Sequence, residues 1–263
     1  MLRRLFTPRW LGALLLAALF SVASYHLGWW QYHRHEAKSE RNARLDAHYR
    51  ADPVPVPSVL TPAGLPLADE WTRVQVTGSY GGGPVFVRNR TLDSRAGYEV
   101  LWVLRPDAGG PDVVVDRGWV PVSERGASTL PAVPSAPTGE VVVTGWVRRG
   151  EASRGRDLPD GQVASINLRE VGTVLGSPGV LPGYVQLESE RLPDGTTPPR
   201  PTPLGEPDRS LGPHLAYAYQ WWLATVLGFV LVWFGIRREL RLEDPVRYPS
   251  TPKKTRIWDE EDE

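Results

Sequence analysis

The sequence predicts a membrane protein in which two transmembrane α-helices, one near each terminus, flank a single extracytoplasmic, antiparallel, β-rich domain. Residues 11–30 and 215–236 contain no charged side chain, and about 20 apolar residues are enough to cross the hydrocarbon core of a bilayer. Between these two runs, stretches rich in Val, Tyr and Trp alternate with Gly/Pro clusters. Such alternation is typical of short β-strands separated by turns.

The first transmembrane helix is predicted over residues 11–30, after a cytoplasmic N-terminus of residues 1–10. Lipid offers no hydrogen-bond partners to the backbone, so a single spanning segment has to be helical. An alternative interpretation is a cleaved signal peptide with Ser21-Val22-Ala23 as its small-residue cleavage site. The apolar run continues as far as Trp30, which favours a helix that is retained.

Residues 31–213 are predicted to form the extracytoplasmic domain. The domain begins with a helical extension over 31–50, which should end before Asp52-Pro53 because proline disfavours a helical conformation in the residue before it. Pro-rich linkers are predicted over 52–69 and 192–213, where the composition shifts towards proline and glycine.

The β-rich body of this domain is predicted over residues 70–190. Six or seven strands at this spacing indicate an antiparallel sheet or a small barrel. A short helix is predicted around Leu168–Leu175. The predicted strands cover residues 71–80, 85–90, 98–104, 112–121, 141–149, 164–170 and 184–190.

The second transmembrane helix is predicted over residues 214–236, followed by a disordered cytoplasmic tail of residues 237–263. Arginines precede the first helix and follow the second, and cytoplasmic flanks tend to be positively charged. Two crossings put both termini on one side, so these arginines predict that both termini are cytoplasmic. They are Arg3, Arg4 and Arg9 before the first helix, and Arg237, Arg238 and Arg241 after the second.

Small residues predict that the two helices pack against each other. Ala17/Ser21 and Ala224/Gly228 are pairs of small residues separated by three others, a pattern that lets helix backbones approach closely. Counted inward from the ends that face the domain, the two pairs lie at the same depths. Antiparallel helices would therefore bring them face to face.

The composition excludes several classes of site. The chain has 263 residues, no Cys, and Met1 as its only Met, which rules out disulfides, Cys-ligated metals, a thiol nucleophile and thioether copper sites. The 30 Lys and Arg residues balance 30 Asp and Glu residues, so nucleic acid is not an expected partner. Asp112 and Asp116 could form an acid–base pair on one strand face, but solvated surface charge is the preferred interpretation.

Histidines lie only in or beside the predicted helices. His214 stands at the outer start of the second helix, and His26 lies about one turn inside the outer end of the first, so the two imidazoles could meet at the outer leaflet. Imidazole is the commonest haem-iron ligand, and Tyr and Met1 are the sequence's only other candidates. Haem ligation and simple interfacial placement of histidine are both open interpretations, and no metal other than haem iron is expected.

Gln31, Arg34 and Lys38 follow the first apolar run at positions i, i+3 and i+7, which lie on one face of a helix. Two like charges four residues apart favour an anionic partner. Lipid phosphate, haem propionates or an acidic protein would each serve, and a plain solvated helix is the alternative.

Several motifs occur in a specific order along the chain. They are Gly28-x-Trp30-Gln31-x-x-Arg34-x-x-x-Lys38, Trp71-x-Arg73-Val74-x-Val76-x-Gly78-x-Tyr80, Gly97-Tyr98, Asp116-Arg117-Gly118-Trp119-Val120-Pro121 and His214-Leu215-x-Tyr217-Ala218-x-x-Trp221. From about residue 10 to residue 240, this ordered set resembles the surfeit-locus-protein-one family of cytochrome c oxidase assembly factors. Asp116 stands where that family usually has Asn.

The resemblance implies a non-enzymatic protein of the bacterial plasma membrane that helps to build haem–copper cytochrome c oxidase. It implies binding of haem a, or help with its insertion into the catalytic subunit. The implied partners are oxidase subunit I, the machinery of haem a synthesis and the lipid bilayer. His214 matches the histidine that the family has been proposed to use for haem a.

These expectations combine into one site hypothesis. In it, the haem a ligands are His214 and, by geometric inference alone, His26; Tyr217, Trp221 and Trp30 pack against the ring, and Arg34 or Lys38 meets the propionates. Two rival functions are a cofactor-free scaffold that stabilises oxidase assembly intermediates and an extracytoplasmic sensor or hydrolase.

Overall fold

The structure, a computed structural model, describes residues 5–124 and 129–246. The chain divides into two compact units, one formed by the residues up to Ser39 together with those from Arg209 onward, and the other by Glu40–Asp208. The first unit is a helix pair made of α1 (Pro8–His48) and α3 (His214–Glu243), and the last turns of α1 belong to the second unit. The second unit is a β barrel.

Both long helices have the length and composition needed to cross a membrane. In their most apolar windows, only 17% of the residues of α1 and 6% of those of α3 are buried. A core helix of a soluble protein would bury most of such a window, because exposing large apolar side chains to water is costly. The two helices are therefore consistent with a membrane protein, as the sequence predicts.

The second long helix extends beyond its predicted end at residue 236. α3 continues to Glu243, so the prediction of disorder is wrong for 237–243. In this stretch the carboxylate of Glu239 accepts a hydrogen bond of 3.1 Å from Trp10 Nε1 on α1, which favours continued helix. The rest of the predicted disordered tail, from residue 247 on, lies outside the described residues.

The second unit contains seven strands and a short helix. Five long strands form the barrel, two two-residue strands extend it, and the short helix α2 covers Leu168–Val174. The strands are β1 (Val54–Pro55), β2 (Arg73–Leu92), β3 (Arg95–Pro106), β4 (Val113–Pro121), β5 (Glu140–Arg149), β6 (Gln162–Val163) and β7 (Gly183–Arg191).

The barrel closes because β2 pairs with two neighbours. Around the barrel the order is β2-β3-β4-β7-β5, and β5 returns to β2. The first part of β2 pairs with β5, at Arg73–Ser79, and the rest pairs with β3, at Gly78–Leu92. Most pairs are antiparallel, as predicted, but β1–β2, β2–β6 and β4–β7 are parallel. Closure leaves few unpaired edges, which suits a single small β domain.

Inward-facing aliphatic residues of all five long strands fill the barrel. Val74, Val115, Val143, Val185 and Leu104 are each fully buried in this core. A second apolar cluster on the outside packs under α2, whose N-cap is Asn167: its side chain accepts a hydrogen bond from the backbone N–H of Glu170. This capping pattern starts a helix where the sequence also predicts a strand over 164–170, so that strand prediction is wrong.

The predicted strands 71–80 and 85–90 are one continuous strand. The glycines expected to form a turn instead form an irregularity in β2, with a register shift against β3 between Gly81 and Val85. Gly82 and Gly83 have φ of +60° and +99°, values that other residues rarely adopt. The segment therefore bends the strand without ending it, and this bend allows β2 to serve both neighbours.

Both predicted linkers pack against the barrel. In 52–69, Val56 and Leu60 are buried in the barrel core. In 192–213, residues 199–202, here called the strap, lie on β4 and β7. Thr202 exchanges two backbone hydrogen bonds with Trp119, of 2.8 and 2.9 Å, and Arg200 donates to the carbonyl of Glu188 at 2.7 Å.

The motif Asp116-Arg117-Gly118-Trp119-Val120-Pro121 on β4 holds this strap. Gly118 has φ of +130°, and a Cβ there would stand 2.5 Å from the carbonyl oxygen of Thr202, so glycine is required on both counts. Arg117 is fully buried and donates to the carbonyls of Pro134 and Pro199. The motif thus fastens two proline-rich segments to the barrel, which is a structural role.

Candidate functional site

The helix pair has a constant antiparallel register. Ala17 meets Gly228, where a methyl group on the glycine would stand 3.1 Å from the alanine Cβ. Moving 14 residues up α1 and 14 back along α3 leads to Gln31 and His214, which are in contact. Equal steps in multiples of seven residues are the spacing of coiled-coil seams. The predicted packing of the small residues is therefore confirmed at Ala17 and Gly228.

His214 is the first residue of α3, and its side chain turns towards α1. Its Nδ1 lies 2.9 Å from the side-chain oxygen Oε1 of Gln31. The imidazole is half-buried, and Nε2 forms no hydrogen bond to any residue that the structure describes. The ring is thus fixed through one nitrogen, and the other nitrogen is available to a ligand.

Basic side chains surround this imidazole. Lys38 donates from Nζ to the backbone carbonyl of Ser210 at 3.3 Å. A Cβ built on Gly212 would be 3.4 Å from Lys38 Nζ and 3.5 Å from His214 Nε2, so the ammonium group and the free nitrogen flank the same glycine. Arg34 and His35 also act electrostatically on His214. Such a cluster favours an anionic ligand.

Aromatic residues border the site. The guanidinium carbon of Arg34 lies 5.5 Å from the ring centre of Trp30, which is 53% exposed. On α3, Tyr217 and Trp221 follow His214 by three and seven residues and so share its side of the helix; Tyr217 is exposed and Trp221 half-buried. Trp30 and Tyr217 therefore present exposed apolar surface on the two helices.

The structure does not bring His26 to His214. His26 is exposed and packs edge-on against Tyr25, with 5.7 Å between the ring centres. Five residues separate it from Gln31, which corresponds to a rotation of about 140° around an α-helix. The histidine of α1 that faces His214 is His35, whose Nδ1 is buried and has no hydrogen-bond partner among the described residues.

Sequence reasoning missed three contributors to the site. The sequence places Gln31 on a helix face and in a motif but predicts no contact for it, and it predicts no role for His35 or Trp222. Trp222 fills the space above Gly28, where any Cβ would collide with its indole nitrogen. The heptad-like spacing of Gly28, Gln31, His35 and Lys38 was the available signal, because these positions share the seam that faces α3.

The barrel also buries polar side chains, but they are paired. The Glu190 carboxylate accepts hydrogen bonds of 3.2 and 2.5 Å from Arg117 and of 2.8 Å from Tyr80, and both Arg117 and Glu190 are fully buried. Arg117 also lies 4.7 Å from the ring centre of Trp102. With every charge satisfied, this group stabilises structure and presents no reactive atom.

Asp116 is the exception to this pairing and corrects a prediction. It is 1% exposed, so the interpretation as solvated surface charge is wrong. Burial, followed by the neighbouring Glu99 carboxylate, raises the pKa of Asp116 well above its ordinary value. One of its oxygens accepts a 3.1 Å hydrogen bond from the backbone of Gly118. Within the described residues, no group of His, Asp and Glu is arranged to hold a metal ion.

An apolar cavity of about 360 Å³ opens at one end of the barrel. The segment Pro55–Pro62 and the β3–β4 connection form its walls, and Asp107 is its one acidic lining residue. No nucleophile with an adjacent base lines it, so the cavity gives no support to hydrolase chemistry.

Comparisons with known proteins extend over both units. The sequence profile of the SURF1 family matches residues 18–226. An uncharacterized SURF1-like protein of Mycobacterium bovis is 30% identical over 256 residues, which cover 94% of this chain and 91% of the relative. A SURF1-like protein of Monosiga brevicollis is 28% identical over 261 residues, covering 93% of this chain and 95% of the relative. The cytochrome oxidase assembly protein SHY1 of Saccharomyces cerevisiae is 27% identical over 112 residues, or 41% of this chain and 28% of that protein.

Proposed function

This chain belongs to the SURF1 family, and from that premise we propose that it acts in the assembly of haem–copper cytochrome c oxidase, as an assembly factor and not as an enzyme. The name of the yeast relative, a cytochrome oxidase assembly protein, supports this role. The buried charges of Arg117 and Glu190 in the barrel are consistent with this role, since they are satisfied by each other and by neighbouring groups.

We further propose that the helix pair binds haem a through His214. The observation that carries this proposal is the imidazole itself, which is anchored at Nδ1 by Gln31 and free at Nε2. Haem iron takes an imidazole ligand readily. When bound, haem a would supply an iron centre, a broad apolar ring and two carboxylates.

The surrounding residues fit these three parts. Nε2 of His214 would ligate the iron, and the exposed faces of Trp30 and Tyr217 would cover the ring, with Trp221 behind them. Arg34 and Lys38 carry the charge that complements carboxylates, although Lys38 already donates one hydrogen bond to Ser210. His26 lies on another face of α1 and packs against Tyr25, so it would not hold the iron together with His214.

The proposed location is the bacterial plasma membrane, with both termini in the cytoplasm and the barrel outside. The two exposed apolar helices support membrane insertion, and the flanking arginines support this orientation. Oxidase subunit I and the haem a synthesis machinery are the proposed partners. A reporter that is active only in the cytoplasm should be active when fused to Met1 and also when fused to Glu263. Activity at one terminus and not at the other would contradict the topology.

A haem-loading experiment tests the ligand. The full chain, purified from cells that make haem a, should give a reduced-minus-oxidised spectrum of haem a. His214→Ala should lose that spectrum because the iron loses its imidazole. His33→Ala is the matched control: His33 is an exposed histidine on α1 that packs against Trp29, and its loss should leave the spectrum unchanged.

The same variants distinguish haem handling from scaffolding. In cells that lack the native protein, wild type should restore the oxidase spectrum and His214→Ala should not. Full restoration by His214→Ala would favour the cofactor-free scaffold. A wild-type protein that is folded and haem-free in cells with normal haem a synthesis would defeat the ligand assignment.

A further inference from the structure

We propose that Gln31 is a positioning residue that holds His214 in one tautomer, with the proton on Nδ1 and the lone pair on Nε2. The purpose of this arrangement rests on the proposed function, because a free Nε2 lone pair is what a metal centre needs. The arrangement itself rests on the contact between the two side chains and can be tested without any cofactor.

The orientation of the Gln31 amide, with its oxygen towards His214, is compatible with one direction of the hydrogen bond. The Gln31 atom that meets Nδ1 at 2.9 Å is Oε1, the amide oxygen. A carbonyl oxygen only accepts hydrogen bonds, so Nδ1 has to be the donor. In a neutral imidazole the proton on Nδ1 leaves Nε2 with a lone pair, and the tautomer is therefore set by the partner of the first nitrogen.

The neighbours of Nε2 favour the same state. The charged or titratable groups that face His214 are Lys38, Arg34 and His35, and the first two are cations. None of these cations accepts a hydrogen bond, so an N–H on Nε2 would gain nothing from them. A lone pair on Nε2, in contrast, is favourable beside positive charge.

The helix pair makes Gln31 rigid enough for this task. Gln31 lies on the seam of α1 that meets α3, three residues after Gly28, where Trp222 packs closely. Seven residues further along, Lys38 ties α1 to the turn before α3 through the carbonyl of Ser210. These contacts bring α1 and α3 together on either side of Gln31, where its amide meets the imidazole.

This arrangement matches a general feature of metal-binding histidines. A ligating imidazole usually donates its second N–H to an oxygen acceptor, which orients the ring and raises the basicity of the ligating nitrogen. Loss of such an acceptor typically weakens metal binding by about 10–100-fold. Gln31 would be that acceptor, and it would touch the imidazole and not the iron.

The test measures the tautomer directly in the haem-free full chain. The protein would be labelled with ¹⁵N-histidine, placed in lipid nanodiscs and observed by ¹⁵N NMR, with His214 assigned from a His214→Gln sample. In wild type, Nδ1 should carry the proton and Nε2 should show the shift of an unprotonated nitrogen. In Gln31→Leu, the proton should redistribute towards Nε2, and in Gln31→Glu, which keeps an oxygen acceptor, it should stay on Nδ1.

Haem retention is the second readout. Gln31→Leu should lower the affinity for haem a by about 10–100-fold, and Gln31→Glu should retain most of it. Gln220→Leu, the same substitution at an exposed position of α3, is the matched control and should change neither readout. Circular dichroism would check that each variant keeps its helices.

The outcomes separate this inference from the proposed function. A wild-type His214 with the proton on Nε2, or a Gln31→Leu variant with an unchanged tautomer, would overturn the role of Gln31. The expected tautomers in a protein that binds no haem a would support the role of Gln31 and count against haem ligation. Haem loss in Gln31→Leu with rescue by Gln31→Glu would support both.

Discussion

Buried polar groups are treated differently in the barrel and in the helix pair. In the barrel, Arg117 and Glu190 are fully buried, and each is satisfied by the other and by neighbouring groups. In the helix pair, His214 is anchored at one nitrogen and free at the other, while the indole nitrogen of Trp222 is buried without a partner among the described residues. Paired charge maintains a fold, and an anchored group with a free lone pair can take a ligand. The comparison is consistent with a structural role for the paired charges of the barrel and with the ligand role proposed for His214.

The largest expected effect comes from breaking the buried charge pair of the barrel. Arg117→Met would leave the Glu190 carboxylate without its cation, and loss of one partner of a buried pair costs about 3–5 kcal/mol. It would also free the carbonyls of Pro134 and Pro199. Hydrogen exchange by mass spectrometry on the full chain in detergent should show faster exchange in β4, in β7 and around the strap.

Arg50→Met is the matched control for this substitution. Arg50 pairs with Glu206 at 3.4 Å, but the two side chains are 78% and 59% exposed, and such surface pairs contribute about 0–1 kcal/mol. Its exchange pattern should match that of wild type. If Arg117→Met and Arg50→Met behave alike, the buried pair does not stabilise the barrel and the comparison fails.

Local sequence patterns predict most of the helices and strands, but they do not show how the strands close into a barrel. The two long helices follow from their uncharged apolar runs, and the Ala17/Gly228 contact follows from the spacing of small residues at matching depths. Closure of the barrel depends on one bend in β2, at residues 81–84. From the sequence alone these glycines could equally form a turn between two strands, and only the pairing of β2 with both β5 and β3 shows that the strand continues. Asp116 was misassigned for a similar reason, because alternation along a strand does not reveal what covers its face.

The sequence predicts the helix positions of the candidate site residues but not the contacts between them. Gln31, Arg34 and Lys38 share a face of α1 as expected, and Lys38 and His214 flank the same glycine. His26 was paired with His214 on depth alone, and depth along a helix does not fix the direction in which a side chain points. His35, nine residues further on, is the histidine that acts on His214, and the seven-residue spacing of the seam identifies it.

A smaller effect is expected from disturbing the helix pair. Gly28→Ala would place a methyl group against the indole of Trp222, which Trp29 and Tyr32 already border with ring centres 5.6 and 5.9 Å away. Overpacking of this kind costs about 1–3 kcal/mol. The variant should separate α1 from α3 near Gln31, lower the melting temperature of the helix pair and reduce haem a retention.

Gly12→Ala is the matched control, since Gly12 also lies on α1 and a Cβ there meets no atom within 4 Å. It should leave haem retention unchanged, because alanine is favourable in a helix. Equal retention in Gly28→Ala and Gly12→Ala would mean that close packing above Gly28 does not support the site. The barrel strands serve as an internal reference, and their hydrogen exchange should be the same in both variants.

The smallest expected effect concerns Asp116, the least satisfied charge of the barrel. Because burial and Glu99 raise its pKa, the folded state holds a proton that the unfolded state releases above about pH 4. Stability from this group is therefore complete at acid pH and falls as the pH rises through the folded pKa. Asp116→Asn removes the titration and keeps an oxygen acceptor for the backbone N–H of Gly118. The variant should be more stable than wild type at about pH 8, and the difference should shrink towards pH 4.

Denaturant midpoints of the barrel, measured between about pH 4 and pH 9, would check this dependence. Asp157→Asn, at an exposed position, is the matched control and should follow the wild-type curve. An Asp116→Asn barrel that is less stable than wild type at pH 8 would mean that the carboxylate is ionised and held by Arg90 or Arg148, the two cations that act on it. Asp116 would then be a paired buried charge like Arg117 and Glu190, and the contrast with the half-satisfied imidazole of His214 would be stronger than that pair alone indicates.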